Sequence, residues 1–532
     1  MIAIEYANEI LIADCGLAFP EDDMLGVDLL IPDITYLRQS RKPVVGYVIS
    51  HGHEDHIGGL AYILREINAP VYATPLTRGL IEVKLREARL LDKTDLRTFQ
   101  DGDVVHVGGF TVEPFRVTHS IPDAVGLAIT CGAGTVVYTG DFKFDPTPVD
   151  ARTSNYARIG QIGERGVLVL LSDCVHAETE GHTPSEQVVT DTFRRIFGRT
   201  EGRIIIATFA SLIARIQQAI TVAEEHGRKV AVVGRSLENN VAMATELGYL
   251  RFRPGTMVSF RELERESPEN QVVIVTGSQG EPTSVLNRIA NQDHRSVKLR
   301  EGDTVIISAT PIPGNETAVS RIINNLFRQG ANVVYSAIER VHVSGHASAD
   351  EQRLMLNMMK PTYAVPIHGE MRHLVRYRQI AMSVGVPEEN IVIPENGAVM
   401  EFGPDGASIV ERTPNNFVFV DGVSVGDVDH VVLRDRQLLS QDGMLLVVVS
   451  IDRQSGKLVA GPDLISRGFL YGAEEARITD DARALVRRAF KHDGDSPAEW
   501  SWAHRKLKHT LGQFMYERTG RRPMILPVVM EV

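Results

Sequence analysis

The sequence predicts an α/β protein of layered sheets and several domains, and three observations carry that expectation. At 532 residues the chain exceeds one ordinary domain, and length alone suggests about three or four. Short β-branched apolar runs recur through the first third, each ending in Asp or His. From about residue 186 to 345 the pattern becomes strand followed by helix, which indicates a parallel α/β domain of its own. A hydrophobic share of 43% and a charged share of 23% leave enough apolar surface for sizeable cores.

Composition also excludes. The net charge of −12 argues against an indiscriminate nucleic-acid coat protein. It leaves room for a polyanionic substrate, because local fields and bound divalent ions can oppose the global charge. No apolar run approaches the roughly 20 residues that span a bilayer, and residues 1–5 show no basic region ahead of an apolar segment, so neither a membrane span nor a signal peptide is expected. Cys15, Cys131 and Cys174 are odd in number and widely spaced. They fit neither a disulfide framework nor a zinc ribbon, and are expected to fill cores in a reducing cytoplasm.

In chain order, the first clear strand covers residues 10–13 and ends at Asp14; the next covers 44–49 and runs into the histidine loop. Strands at 111–118, 135–139 and 167–171 end at His119, Asp141 and Asp173. Ligands bind at such strand ends in layered α/β proteins. Thr183-Pro184-Ser185-Glu186 reads as a helix start with Thr as N-cap. Strands at 203–207, 229–233, 271–275, 304–308 and 332–335 follow, with a helix over 212–226 after the first of them. The last hundred residues form an α+β module: a strand over 445–451, a turn over 452–456, a partner over 458–460, helices over 480–491 and 499–518, and a strand over 524–530. It carries Arg487, Arg488, Arg505, Lys506, Lys508, Arg518, Arg521 and Arg522, a solvated basic face or a nucleic-acid contact.

The chemistry gathers in Ser50-His51-Gly52-His53-Glu54-Asp55-His56, where three histidines and two carboxylates fall within six residues. Imidazole nitrogen and carboxylate oxygen are ligands for zinc, manganese and similar ions. His51 and His53 can converge on one ion, with His119 as a third nitrogen. Asp55 and His56 can face a second ion that His368 closes, and Asp141 can bridge the two. Singly, each of these residues is more often structural than a ligand; as a set the balance reverses.

The His51-x-His53-x-Asp55-His56 motif, then His119 and Asp141, resembles the motifs of the metallo-β-lactamase fold, with Asp14 similar to its first acidic motif. The 185–345 block, Asp173, Val343-Ser344-Gly345-His346 and Pro366-Ile367-His368 resemble the β-CASP nucleases of that superfamily, and the bacterial ribonuclease J family among them. That likeness runs nearly end to end, including Phe19-Pro20-Glu21-Asp22, His342 to Ser348 and Arg522 to Pro527. Members usually carry a Gly-rich strand ahead of the position of Met1, a departure that bears on the edge of the first sheet. The resemblance implies a metallo-β-lactamase αββα sandwich over 1–185 and 349–430, interrupted by a β-CASP domain over 186–348. A linker over 431–440 and an α+β C-terminal domain over 441–532 complete the expectation.

The resemblance also implies two divalent ions, zinc or manganese, about 4 Å apart, and in-line hydrolysis of RNA leaving a 5′-phosphate and a 3′-hydroxyl. His346 resembles the general acid, oriented by Asp173, with Asp14 fixing a ligand histidine. His342, Val343, Ser344, Gly345, His346 and Ser348 are expected at the RNA. Ser211, ahead of a helix, is either an anion contact or an ordinary cap. A further structural cation is expected near Glu21-Asp22-Asp23 and Asp421, although an Asp-Gly turn explains Asp421 equally. Expected partners are single-stranded RNA, preferentially 5′-monophosphorylated, and a second copy of the chain as homodimer or dimer of dimers. The implied function is a 5′-to-3′ exonuclease and endonuclease in rRNA maturation and mRNA decay. A DNA-directed or small-ester hydrolase on the same centre, and a non-catalytic RNA-binding partner subunit, are the alternatives.

Overall fold

The computed structural model describes all residues except 22, 282, 313, 404–405, 423, 454–456, 471–472 and 491–499. Asp22, residues 454–456 of the expected turn, Lys491 and Glu499 therefore lie outside the described residues. The chain divides into two units, Met1–Ala18 with Ile31–Phe417, and Phe19–Leu30 with Val418–Val532.

Two sheets build the first unit's sandwich. One orders its strands Ile2–Tyr6, Glu9–Ala13, Val44–Val48, Val71–Ala73 and Leu96–Thr98. The other runs Tyr363–Ile367, Val169–Asp173, Gly134–Tyr138, Val125–Cys131, Phe110–Arg116 and Val105–Val107. Strand periodicity explains how they pack, since successive side chains point to opposite faces. Leu11 and Ala13 pack with Leu127, Tyr138, Val169 and Leu171 between the sheets. Ile10 and Ile12 face the other way, toward the layer that includes Leu60, Leu76 and Leu80. Across the second sheet, Leu170 and Ala364 pack on Ile159, Met355 and Tyr377 of the helices Tyr156–Glu164, Ala349–Met359 and Met371–Ser383. This is the expected αββα arrangement.

The edge strand Ile2–Tyr6, antiparallel to Glu9–Ala13, was not expected from sequence. It is mostly exposed, so burial imposes no long apolar run on it. Two other expectations are corrected. The helix after Thr183 begins at Gln187, and Glu186 precedes it. Thr183 spends its hydroxyl on the His346 carbonyl at 2.6 Å instead of a cap. The stretch expected as a linker is the helix His430–Asp442, started by Asp429, whose carboxylate accepts from the N–H groups of Val431 and Val432.

The inserted domain holds an all-parallel sheet ordered Lys229–Val233, Gln271–Val275, Ile204–Ala207, Thr304–Ile307 and Asn332–Val334. After it the chain returns to the sandwich as Tyr363–Ile367, parallel to Val169–Asp173 with Ile367 opposite Asp173. That register carries His368 to the sheet edge where Asp173 ends, joining sequence positions almost two hundred residues apart.

In the second unit, Met444–Ile451 pairs with Leu458–Arg467 on one side and Met524–Glu531 on the other. The helices Ala473–Ala489 and Trp500–Thr519 cover one face of this sheet through Ile478, Ala482, Leu507, Leu511 and Met515. Lys506 lies 4.5 Å over the Trp502 ring and Arg522 4.5 Å over Tyr516, so part of the basic face is committed to cation–π contacts. Cys15 and Cys174 are buried, Cys131 is half-buried, and none is in a disulfide; burial pushes the Cys15 thiol up to about 12. Among the described residues no helix is long and apolar enough to cross a membrane.

Candidate metal centre

The histidine loop leaves Val44–Val48 and folds over the end of Glu9–Ala13. Cys15 N–H donates to the His56 carbonyl at 2.8 Å, and Leu17 N–H to that of Glu54 at 3.1 Å. Gly16 is obligatory there, because a Cβ would lie 1.5 Å from the Asp55 carbonyl oxygen. This clamp turns the His51, His53, Asp55 and His56 side chains into one space.

Among the described residues two four-donor sets result, and Asp141 belongs to both, as well as to a three-residue group with Asp173 and His346. His51, His53, His119 and Asp141 form the first; Asp55, His56, His368 and Asp141 form the second, each with its ligand atoms within 4.8 Å of one another. In the first, His53 Nδ1 lies 3.1 Å from both His51 Nε2 and His119 Nε2, and Asp141 Oδ2 lies 3.7 Å from those two. In the second, the same Oδ2 lies 3.2 Å from His56 Nε2 and 3.3 Å from His368 Nε2, while Asp55 Oδ2 lies 3.6 and 3.4 Å from them. Tetrahedral bonds of about 2.0 Å to zinc put neighbouring donors about 3.3 Å apart, so the spacing fits a cation at each set. His56 Nε2 is buried, makes no hydrogen bond of good geometry within the protein and faces the Asp141 and Asp55 carboxylates.

The electrostatics separate the sets. Burial holds His51 and His119 well below the ordinary imidazole value and His53 down to about 4, so the first set presents neutral nitrogens. Burial acts the same way on His56, but Asp141, Asp55 and Asp14 outweigh it and raise His56 to about 10. His368 is likewise raised well above its usual value, Asp141 and Asp55 overriding burial.

The ligands are held from behind. Asp14 Oδ2 takes His56 Nδ1 at 2.6 Å and accepts from Ser50 Oγ at 2.6 Å and Tyr138 OH at 2.5 Å; its Oδ1 accepts from Ser50 N–H at 2.7 Å. Ser50 Oγ also meets His51 Nδ1 at 3.0 Å, and the Gly345 carbonyl fixes His119 Nδ1 at 2.8 Å. Such outer contacts orient ligand imidazoles and set their tautomers. Asp14 (φ 54°) and His368 (φ 64°) both adopt the left-handed backbone region, a cost that clusters at functional sites.

The chain has relatives among known proteins. Family models match residues 1–207 as metallo-β-lactamase superfamily, 201–326 as ribonuclease J β-CASP domain, 330–394 as Zn-dependent metallo-hydrolase RNA specificity domain and 431–532 as ribonuclease J C-terminal domain. Ribonuclease J2 of Bacillus subtilis is 42% identical over 100% of this chain and 96% of its own length. Ribonuclease J of Thermus thermophilus is 41% identical over 99% of this chain and 92% of its own. The chain belongs to the ribonuclease J family. A crystal structure of an Enterococcus faecalis protein of unknown function shares the fold, with TM-score 0.51 and 16% identity over 74% of this chain and 94% of that one. As a ribonuclease J family member the chain uses divalent metal and binds RNA, and the two donor sets lie in its metallo-β-lactamase sandwich.

In this ribonuclease J homologue Asp173 and His346 adjoin the centre. Asp173 Oδ2 meets His346 Nδ1 at 2.8 Å. Burial lowers the His346 imidazole, but Asp173 and Asp141 outweigh it and hold it above the ordinary value. In the 342–346 segment His342, Ser344 and His346 are half-buried, whereas Val343 and Gly345 point into the protein, an extended alternation. Ser344 Oγ accepts from His346 N–H at 3.1 Å. His342 is driven down to about 3 by burial, then by Arg215 and Lys143, and its Nδ1 has no partner.

Of the other expected contacts, Val343, Gly345 and Ser348 are buried. Ser348 is 1% exposed; its N–H donates to Glu351 at 2.9 Å and its hydroxyl meets Thr183 at 2.9 Å. Val343 packs into the core. Gly345 is small because a Cβ would lie 2.5 Å from His119. Ser211 sits two residues ahead of the helix Ile213–Glu225, its carbonyl accepting from Ile213 N–H at 2.8 Å. Asp421, in the second unit, already has a cation: Arg436 at 2.5 Å. Ser50, Tyr138 and the Gly345 carbonyl were missed. Ser50 is signalled only by adjacency to His51, and nothing local marks the other two.

Proposed function

We propose that the two donor sets hold two divalent ions, zinc or manganese, and that the chain hydrolyses RNA phosphodiesters to 5′-phosphate and 3′-hydroxyl products. The observation that carries this reading is the single oxygen, Asp141 Oδ2, shared by two complete donor sets. When bound, divalent cations polarise the phosphodiester and activate the attacking water. The chain's own residues do the rest. His51, His53 and His119 on one side, and Asp55, His56 and His368 on the other, fix where the phosphate sits, and Asp14 holds His56 in register. His346 gives its proton to the departing 3′-oxygen, while Asp173 keeps its Nδ1 engaged and its Nε2 directed at the substrate. His342 and Ser344, half-buried beside His346, line the RNA path. Asp421, tied to Arg436, is a poor ligand for a third cation.

The reading includes both 5′-to-3′ exonuclease and endonuclease action, preference for a 5′-monophosphate, and work in rRNA maturation and mRNA decay. It further includes assembly as homodimer or dimer of dimers, and the cytoplasm as its place, consistent with three free cysteines. Matched 5′-monophosphorylated RNA, 5′-triphosphorylated RNA and DNA, digested with added manganese, test it. The expected order is monophosphorylated RNA first and DNA last. Faster cleavage of DNA overturns the assignment, and binding without cleavage favours a non-catalytic subunit.

A further inference from the structure

Beside the Asp173–His346 pair lies a residue that the reaction as described leaves idle. His176 is half-buried, and its ring stacks on His346 with centroids 6.1 Å apart and planes 17° from parallel. His346 meets His119 at 5.2 Å and His368 at 5.7 Å toward the metal centre, and His176 is a further imidazole against it. The backbone around His176 is pinned. It bridges Ser348, its carbonyl accepts from Thr179 N–H at 3.0 Å, and Glu178 and Glu180 are held by Arg372 and Arg376 at 2.5 Å each. Yet neither ring nitrogen of His176 makes a hydrogen bond among the described residues. Burial, with the neighbouring His346, keeps its imidazole below the usual value, so at neutral pH it offers one donor and one acceptor.

We propose that His176 reads the ribose 2′-hydroxyl of the nucleotide whose 3′-oxygen His346 protonates, making it a specificity residue for RNA over DNA. The inference rests on the hydrolytic reading above, in which the P–O3′ bond breaks and the His346 proton passes to O3′. O2′ sits on the adjacent ribose carbon. Two hydrogen bonds of about 2.8 Å each, with neighbouring oxygens between them, bridge rings at this separation. A fixed imidazole with unpaired nitrogens is suited to that task, because a substrate lacking the hydroxyl leaves a desolvated polar group without a partner. The 2′-hydroxyl is also the group by which a protein tells the two nucleic acids apart at a given position.

The test is a cycle between protein and substrate. Full-length metal-loaded protein, His176→Ala and His176→Gln are assayed on an RNA with one defined cleavage site and on its twin carrying a single 2′-deoxynucleotide on the leaving side. The deoxy substitution also alters intrinsic reactivity, but equally for every protein, so only the ratio between proteins counts. The unsubstituted protein should prefer the all-ribose substrate over its twin on the order of ten- to a hundred-fold more than His176→Ala does. His176→Gln, which keeps a donor and an acceptor, should recover part of that preference. Metal content and thermal midpoint identify any variant that has merely misfolded. A His176→Ala variant that is folded and metal-loaded, and slows on both substrates by one factor or on neither, overturns the inference. Failure of the unsubstituted protein to cut RNA overturns the hydrolytic reading itself.

Discussion

Gly345→Ala tests whether the metal centre depends on a close approach between segments distant in sequence. A Cβ at position 345 would lie 2.5 Å from both Cε1 and Nδ1 of His119, and 3.0 Å from Ser120 Cβ. Ordinary contact begins at 3.4 Å, so the ring or the 345 backbone must move by about 0.9 Å. Neither is free to do so at no cost: His119 Nδ1 is held by the Gly345 carbonyl, and Thr183 holds the next carbonyl. His119 is one of the donors of the first set and of none in the second. Misplacing it should weaken metal at the first set roughly 10- to 100-fold, the usual scale for disturbing ligand orientation. Turnover should fall by about a hundredfold, the scale for a 1 Å displacement. Chelator competition followed by elemental analysis should show one ion leaving early and one retained. Gly160→Ala, in the helix Tyr156–Glu164 with nothing within 4 Å of its Cβ, is the control and should be neutral or slightly stabilising. A Gly345→Ala protein with both ions and full turnover refutes the packing reasoning.

Three further outcomes are expected. Asp173→Asn removes the carboxylate that raises His346, so the alkaline limb of the pH–rate profile should move to lower pH and turnover fall by roughly 10²- to 10⁴-fold with metal content unchanged; an unmoved limb removes His346 as the acid. Arg203 and Asp303 form a buried pair, 1% and 3% exposed, so Arg203→Met should cost about 3–5 kcal/mol in urea unfolding of the β-CASP domain, most of it recovered by adding Asp303→Leu; a loss below about 1 kcal/mol contradicts this. His342 has a folded value of about 3, below its unfolded value, so the unfolded chain binds the proton first and stability is lost as pH falls below the unfolded value. Between pH 6.5 and 5.5 the unsubstituted protein should lose about 1 kcal/mol more than His342→Gln, and parallel stability curves exclude the effect.

Most of the candidate donor cluster was legible because it is local or lies at strand ends. The His51-to-His56 loop crowds donors into six positions, and His119, Asp141 and His368 each follow a recognisable apolar run. The parallel strands of the inserted domain were legible for the same reason: burial on both faces leaves continuous apolar segments such as Ile204–Ala207 and Gln271–Val275. The exposed edge strand Ile2–Tyr6 and the capped helix His430–Asp442 carried no such imprint.

Sequence alone determined which chemistry is present: imidazoles and carboxylates, their order, and the strands that end in them. Tertiary structure decided how those groups are shared and supported. The register of Tyr363–Ile367 against Val169–Asp173 sets His368 beside Asp55 and Asp141. The fold brings Ser50 and Tyr138 onto Asp14, packs Gly345 against His119, and lays His176 along His346. The physical reason is that a donor's identity is written at one position, whereas hydrogen bonds and close contacts are properties of pairs that meet only when distant segments pack.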